Sequence, residues 1–279
     1  MSGTPRDEAR EFAPGLVVRG FEPPLALGDF GLIAFDMDST LISIECVDEI
    51  AAMAGRKAEV SAITEAAMRG EIADYKESLR RRVALLAGLP ASALQRVYDE
   101  RLRFNPGAER LVATCKAAGL KTLLVSGGFT FFTDRVCDRL GFDFTRSNVL
   151  EIGNGTLTGR EVEGGVLTGR LVDQPWGDIC DGAEKKKMLL ETCAALAISP
   201  ERSIAVGDGA NDLPMMAAAG LSVAYHAKPK VREAATVAIN QGGLDRLLEL
   251  LRLLSCRQRG RNRFPPKGKQ RTRHLGLFR

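Results

Sequence analysis

Four short segments of the 279-residue chain carry side chains suited to chemistry at a phosphate ester. Asp36-Met37-Asp38-Ser39-Thr40 sets two carboxylates two residues apart. A carboxylate at a strand end can attack phosphorus, provided a cation offsets the repulsion between two anions. A second carboxylate nearby can protonate the leaving oxygen and then deprotonate an attacking water. The same residues can also form a plain acidic turn, with Asp38 or Ser39 capping the next helix. Gly207-Asp208-Gly209-Ala210-Asn211-Asp212 offers the hard oxygen ligands that Mg²⁺ prefers, between glycines that permit close approach; a turn before a helix is the alternative. Ser126-Gly127-Gly128 supplies a hydroxyl and backbone N–H groups ahead of a helix start, a phosphate-binding arrangement or an ordinary Gly-rich turn. Lys185-Lys186-Lys187 opens an amphipathic stretch, in which one lysine can neutralise phosphoryl charge or all three can face solvent.

These segments share a design. Leu32–Phe35 is a short apolar run that ends at Asp36, Leu120–Val125 ends at Ser126, and Ser203–Val206 ends at Gly207. A helical stretch follows each, which is the pattern of βαβ units in a parallel sheet. Ligands in such sheets sit beyond the carboxyl ends of the strands, so the three segments converge on one site. The fold class is therefore α/β, a parallel sheet with helices on both faces.

Between the first two strands lie about 60 residues of helical pattern, at 47–53, 59–68, 75–86 and 91–102, an insert of the size of a cap over the site. Gly155–Arg160 is echoed at Gly165–Arg170 in a Gly- and Thr-rich stretch that predicts a β-hairpin at the sheet's periphery. The expected organisation is an irregular, Pro-rich extension at 1–29, a catalytic core at 30–44 and 105–255, a helical cap at 45–104, and a disordered tail at 256–279.

The net charge of +4 conceals an asymmetry. Nine Lys or Arg and no acids lie between Cys256 and Arg279, which leaves 30 basic against 35 acidic residues in the body. A mildly acidic body does not suggest a nucleic-acid-binding fold. The tail can make salt-sensitive, nonspecific contact with a polyanion such as RNA or an anionic membrane, although Phe264 and Phe278 are its only aromatics for stacking. Six scattered cysteines without a CxxC pair, no apolar signal core and no membrane-length apolar run fit reduced thiols in a cytoplasmic protein that does not enter a membrane. Two histidines and dispersed cysteines exclude the ligand spacing of structural zinc.

Taken together, Asp36-x-Asp38-Ser39-Thr40, Ser126-Gly127-Gly128, Lys185 and Gly207-Asp208-Gly209-Ala210-Asn211-Asp212 resemble the haloacid dehalogenase superfamily, and within it the phosphoserine phosphatases. The resemblance spans about 31–250 and includes Val47–Ala51, Ala67–Gly70, Ser78–Leu86, Val125–Phe129 and Ala227-Lys228-Pro229. It implies a Rossmann-like core with a helical-bundle cap, and the Mg²⁺-dependent phosphoserine hydrolysis that ends serine biosynthesis. Asp36 is implied as nucleophile and metal ligand, and Asp38 as general acid/base with its carbonyl on the metal. Asp208 would be the remaining metal ligand, with Asp212 supporting the metal shell. Ser126, Gly127 and Lys185 would hold the phosphoryl oxygens, which Asn211 helps position. Of the three lysines, Lys185 gives the register that sets Met188 and Leu189 at apolar positions. In the cap, Glu45 would take the substrate ammonium and Arg82 its carboxylate, with Met68, Tyr75 and Phe129 lining the pocket or simply filling core. The stretch Asp173–Asp181 is longer than the family's usual link into the lysine helix, and the tail has no counterpart in the family pattern.

Overall fold

The structure, a computed structural model, describes residues 8–253 apart from 69, 70, 73, 159 and 160. The tail expected at 256–279 lies outside the described residues. The chain begins with β1 (Arg10–Ala13), β2 (Leu16–Val18), a short β3 (Leu25–Ala26) and β4 (Leu32–Phe35). Four helices follow: α1 (Cys46–Met53), α2 (Lys57–Met68), α3 (Tyr75–Ala84) and α4 (Ser92–Glu100). Next come α5 (Ala108–Ala117), β5 (Lys121–Phe129), α6 (Thr130–Leu140), β6 (Phe144–Thr158) and β7 (Glu161–Val172). The rest alternates α7 (Gly182–Ala195), β8 (Ser203–Gly207), α8 (Leu213–Ala218), β9 (Leu221–Tyr225), α9 (Pro229–Ala234) and β10 (Val237–Ile239), and ends at β11 (Leu251–Arg252).

Nine strands form one sheet in the order β1-β2-β10-β9-β8-β4-β5-β6-β7, parallel from β10 through β6. Strand β4 sits near its middle and is buried on both faces. Ile33 and Phe35 join Leu124 and Val206 in one apolar cluster, while Leu32 and Ala34 join Leu123, Val125 and Ala205 in the other. The period-two alternation of a strand explains how an unbroken Leu-Ile-Ala-Phe run serves two cores at once. Helices α5 and α6 contribute Leu111, Val112, Phe132 and Val136 to the first cluster. Helices α7, α8 and α9 contribute Leu189, Met216 and Val231 to the second. Phe35 lies opposite Leu124 on one side and Val206 on the other. That register makes the residues after the three strands leave the sheet side by side.

The four insert helices fall within two residues of their expected bounds, and α1 packs against α2 and α4 while α2 packs against α3. The hairpin at the sheet edge is formed by β6 and β7, and it does more than finish the sheet. Gly88 N and Ala91 N donate to Leu167 O and Gly165 O, and Leu167 N donates to Leu89 O, so the α3–α4 linker is tied to β7 through its backbone. Helix α7 starts at Gly182 rather than at Lys185, because the Asp181 side chain caps it by accepting from Glu184 N at 2.9 Å.

The expectation of an irregular N-terminal extension is overturned at 10–18. There β2 pairs antiparallel with both β1 and β10 and buries Leu16 and Val18 completely. A three-residue strand has too little alternation to show locally; it forms because Val237–Ile239 lies waiting as an unpaired edge.

The entry into β6 is fixed by one carboxylate. Asp143 Oδ2 accepts from Thr122 N and Thr122 Oγ1, each at 2.9 Å, and Oδ1 accepts from Lys121 Nζ at 2.7 Å. Partial burial alone would raise this carboxyl, but the bonds from Lys121 and Thr122 outweigh it and hold it below the usual aspartate value of 3.8. Asp143→Ala strands the buried Thr122 amide, so urea titration at neutral pH should show a loss of about 1–3 kcal/mol. A depressed folded pKa stabilises above the unfolded value and stops doing so as pH falls through the folded one. The gap between wild type and variant should therefore close below pH 3.8.

Candidate active site

The carboxyl ends of β4, β5 and β8 open into a pocket of about 950 Å³ lined by Asp36, Asp38, Ser126, Gly127, Asp208 and Asn211 from the core and by Glu45, Tyr75 and Arg82 from the cap. Each of the residues singled out for catalysis or substrate binding lines it except Lys185, which lies beneath its floor.

Lys185 is the organising contact. Its side chain has no solvent exposure, and Nζ stands 2.8 Å from Asp36 Oδ1 and 2.6 Å from Asp212 Oδ1. Burial by itself disfavours the ammonium, yet Asp212 and Asp36 reverse that and raise Lys185 well above its ordinary value. Lys186 and Lys187 are exposed, the latter reaching Trp176 O and Glu184. The sequence register thus separates the three lysines correctly: one faces the sheet, two face water.

Asp36 Oδ1 also accepts from Met37 N at 2.7 Å. Oδ2 then has no protein donor among the described residues and is the oxygen available to a ligand. Burial, followed by Asp212 and Asp208, pushes the Asp36 carboxyl well up, against the pull of Lys185. Asp38 sits on the loop Met37–Leu41, where Ser39 adopts φ 56°, ψ −8°, a left-handed conformation that a non-glycine residue enters only at a cost. Cys46 lies against the Asp38 carboxyl and draws its value down, while Asp38 Oδ1 is buried without a partner. Burial, and next Glu45, push Asp38 up to about 8.

Asp208 Oδ1 accepts from Thr40 Oγ1 at 2.8 Å, which ties the first motif to the last. Asp212, fully buried, accepts from Asp208 N and Gly209 N through Oδ2 at 3.1 and 3.0 Å, so it shapes the turn that presents Asp208. Ligand oxygens of Asp36, Asp208 and Asp212 lie within 4.8 Å of one another. Three carboxyls here face the single Lys185 ammonium, and burial together with the neighbouring Asp212 raises Asp208 to about 7. A hard divalent cation with oxygen preference fits that donor set.

Ser126 has no solvent exposure and accepts from Gly128 N at 2.8 Å through Oγ. Gly127 O is held by Asn148 Nδ2 at 2.8 Å, and Asn148 Oδ1 accepts from Cys180 N at 2.8 Å. Asn148 stands in β6, outside every segment singled out from the sequence; nothing local signals that it orients the Gly127 peptide. Thr40 and Cys46 were likewise passed over, although Thr40 lies within the first motif itself. Across the pocket, Glu45 Oε1 accepts from Ser39 Oγ at 2.6 Å. It is open to pocket solvent but ringed by protein, and this desolvation raises its carboxyl. Arg82 is half-buried, with Nε buried and unpartnered. Phe129 is buried core at the pocket wall; Met68 carries no described side chain.

Residues 33–217 match the family model of haloacid dehalogenase-like hydrolases. The chain belongs to that family. A phosphoserine phosphatase of Albidiferax ferrireducens is 72% identical over 238 residues, covering 85% of this chain and 96% of that protein. A solved phospho-aspartyl intermediate analogue of phosphoserine phosphatase superposes with a TM-score of 0.70 at 34% identity, over 80% of this chain and 99% of that one. A substrate-bound phosphoserine phosphatase structure gives the same TM-score and coverage, also at 34% identity. The resemblance read from the motifs and the α/β fold with its helical cap are thereby borne out.

Replacing Lys185 by Met should leave Asp36 and Asp212 facing each other without a cation and cost about 3–5 kcal/mol. Lys186→Met should stay within ~0.5 kcal/mol of wild type, as surface changes do. Denaturant unfolding of the two variants tests the assignment of the buried lysine.

Proposed function

We propose that the chain hydrolyses O-phospho-L-serine to L-serine and inorganic phosphate through an aspartyl-phosphate formed at Asp36. The observation that carries this reading is the division of the pocket. Its floor holds Asp36 with Lys185 beneath and Ser126-Gly127 beside it, while its cap wall presents the base Arg82 together with the acids Glu45, Asp48 and Asp74. A phosphorylated amino acid has matching ends: a phosphate, an ammonium and a carboxylate. The phosphoserine phosphatases among the relatives support the same choice.

Asp36 Oδ2 attacks phosphorus while Asp38 gives its proton to the seryl oxygen, and serine leaves. Asp38 then takes a proton from water, which attacks the acyl phosphate and restores Asp36. Lys185 and the Ser126-Gly127 donors balance charge on the non-bridging oxygens, and Asn211 positions them. Asp36, Asp208 and the Asp38 main-chain carbonyl would hold Mg²⁺, with Asp212 behind Asp208. Once bound, the ion supplies positive charge against the phosphoryl oxygens. Glu45 takes the substrate ammonium, and the Arg82 guanidinium takes the carboxylate through its planar fork. The boundaries that suit this work are a core at 30–44 and 105–255 and a cap at 45–104. A cytoplasmic setting agrees with the unpaired Cys46, Cys115, Cys137, Cys180 and Cys193. Among the described residues no helix is long and apolar enough to cross a membrane.

Phosphate release from L-phosphoserine with Mg²⁺ and with EDTA, beside phosphothreonine, phosphohomoserine and sugar phosphates, is the direct test. Magnesium-dependent preference for phosphoserine is expected; preference for a sugar phosphate would overturn the roles of Glu45 and Arg82. Asp36→Asn should lower turnover by roughly 10³-fold or more while leaving the fold intact. Arg82→Ala should raise KM for phosphoserine by roughly 10–100-fold, the cost of a lost charge-assisted hydrogen bond.

A further inference from the structure

Gly127 owes its identity to a neighbour in the cap. A Cβ built there would overlap the Tyr75 hydroxyl, with the Tyr75 ring carbon Cζ at 3.3 Å and Cys180 O at 3.6 Å. The cap tyrosine therefore hangs directly over the peptide whose N–H belongs to the phosphate cradle.

The placement is well anchored. Tyr75 is the first residue of α3, and Asp74 caps that helix by accepting from Lys76 N at 3.1 Å. One residue on, Lys76 Nζ lies 2.7 Å from Asp178 Oδ1 and 3.9 Å from Asp181 Oδ2, and Arg80 also bonds Asp178. The long link before α7 thus grips the first turns of α3 and fixes the tyrosine over the core.

The hydroxyl itself is a question in polar accounting. Tyr75 lines the pocket, in the field of Lys185, Arg82 and Asp36, and no protein group among the described residues accepts its hydrogen bond. A phenyl ring would fill the same space without a polar atom. The half-buried Tyr75 turns its hydroxyl toward the pocket, where a ligand oxygen can replace the water that it meets. Burial pushes the phenol well up, so it remains a neutral donor.

We propose that Tyr75 is a substrate-binding residue of the cap whose hydroxyl donates to a non-bridging phosphoryl oxygen above Gly127. The contact makes closure of the cap sense the phosphate as well as the amino-acid end. It rests on the phosphoserine reading above, and deepens it: Glu45 and Arg82 would read one end of the ligand from the cap, and Tyr75 the other.

The test compares wild type with Tyr75→Phe in Mg²⁺. It measures KM and kcat for L-phosphoserine, inhibition constants for inorganic phosphate and for L-serine, and the thermal midpoint. Loss of a hydrogen bond to a charged group should weaken phosphate inhibition about tenfold or more and raise KM similarly. Inhibition by L-serine, which has no phosphoryl group, and the midpoint should be unchanged. Unaltered phosphate inhibition would overturn the proposal, and so would equal weakening of serine and phosphate, since that marks a packing effect. If wild type releases no phosphate from phosphoserine but phosphate still binds it more tightly than the variant, the Tyr75 contact stands and the phosphoserine reading falls.

Discussion

An ammonium with no access to water is among the costliest groups a fold can hold, and Lys185 is tolerated only because two carboxylates meet it. That requirement links three parts of the chain that are distant in sequence. Helix α7 must present residue 185 toward the sheet, β4 must end where Asp36 Oδ1 lies 2.8 Å from Nζ, and the turn after β8 must bring Asp212 to 2.6 Å. Asp212 spends its other oxygen on the Asp208 and Gly209 amides, so the lysine's second partner also sets the position of Asp208. Thr40 closes the circuit by donating to Asp208 from the first loop. A single buried charge thereby determines the geometry of the floor, and the surplus acidity around it is what suits the site to a cation and a phosphate.

The cap solves a different problem. It is inserted between Ile42 and Phe104, which face each other as an isolated antiparallel bridge at its neck. Asn105 gathers that neck: its Nδ2 donates to Thr40 O at 2.8 Å and Ile42 O at 3.1 Å, with Ser39 O at 3.3 Å. The cap's far side leans on the β6–β7 hairpin through backbone bonds, and α3 is held by Asp178. The neck, the edge strand and the ion pairs add to one apolar cluster that runs from Ile33 and Phe35 in the sheet to Ile50, Leu79, Val83 and Val97 in the cap, so the cover is seated on the same core as the floor.

What could be read from the sequence follows from how local each cause is. The strands ending at Asp36, Ser126 and Gly207 were legible because a fully buried strand is a bare apolar run and its end is polar. The cap helices were legible because their apolar period extends over several turns. Lys185 stood out from Lys186 and Lys187 because the register of Met188 and Leu189 decides which face is inside. By contrast, β2 gains its place from β10, more than 200 residues away, and three residues carry no period of their own. Asn148, Cys46 and Thr40 act through contacts that only the folded chain creates, and Tyr75, expected at the pocket or in the core, shows its place over Gly127 only in the fold.

The two carboxylates of the first loop show how one backbone assigns opposite tasks. Asp36 Oδ1 receives two donors, from Met37 N and Lys185 Nζ, which favour the ionised form and oppose the burial and the neighbouring Asp212 and Asp208 that push this carboxyl up. The partnerless oxygen of Asp38 is buried, with a proton the group best able to satisfy it. Ser39 between Asp38 and Thr40 takes a left-handed turn that keeps Asp38 beneath the cap beside Cys46, while Thr40 points back to Asp208. The strain of that turn is local and modest, of order 1–3 kcal/mol, and the packing of Met37, Thr40 and Leu41 holds it in place. The nucleophile and the proton carrier of the proposed reaction therefore stand two residues apart, one at the end of β4 and one in the loop that follows. Their division of labour is set by what each oxygen touches rather than by the residue type they share.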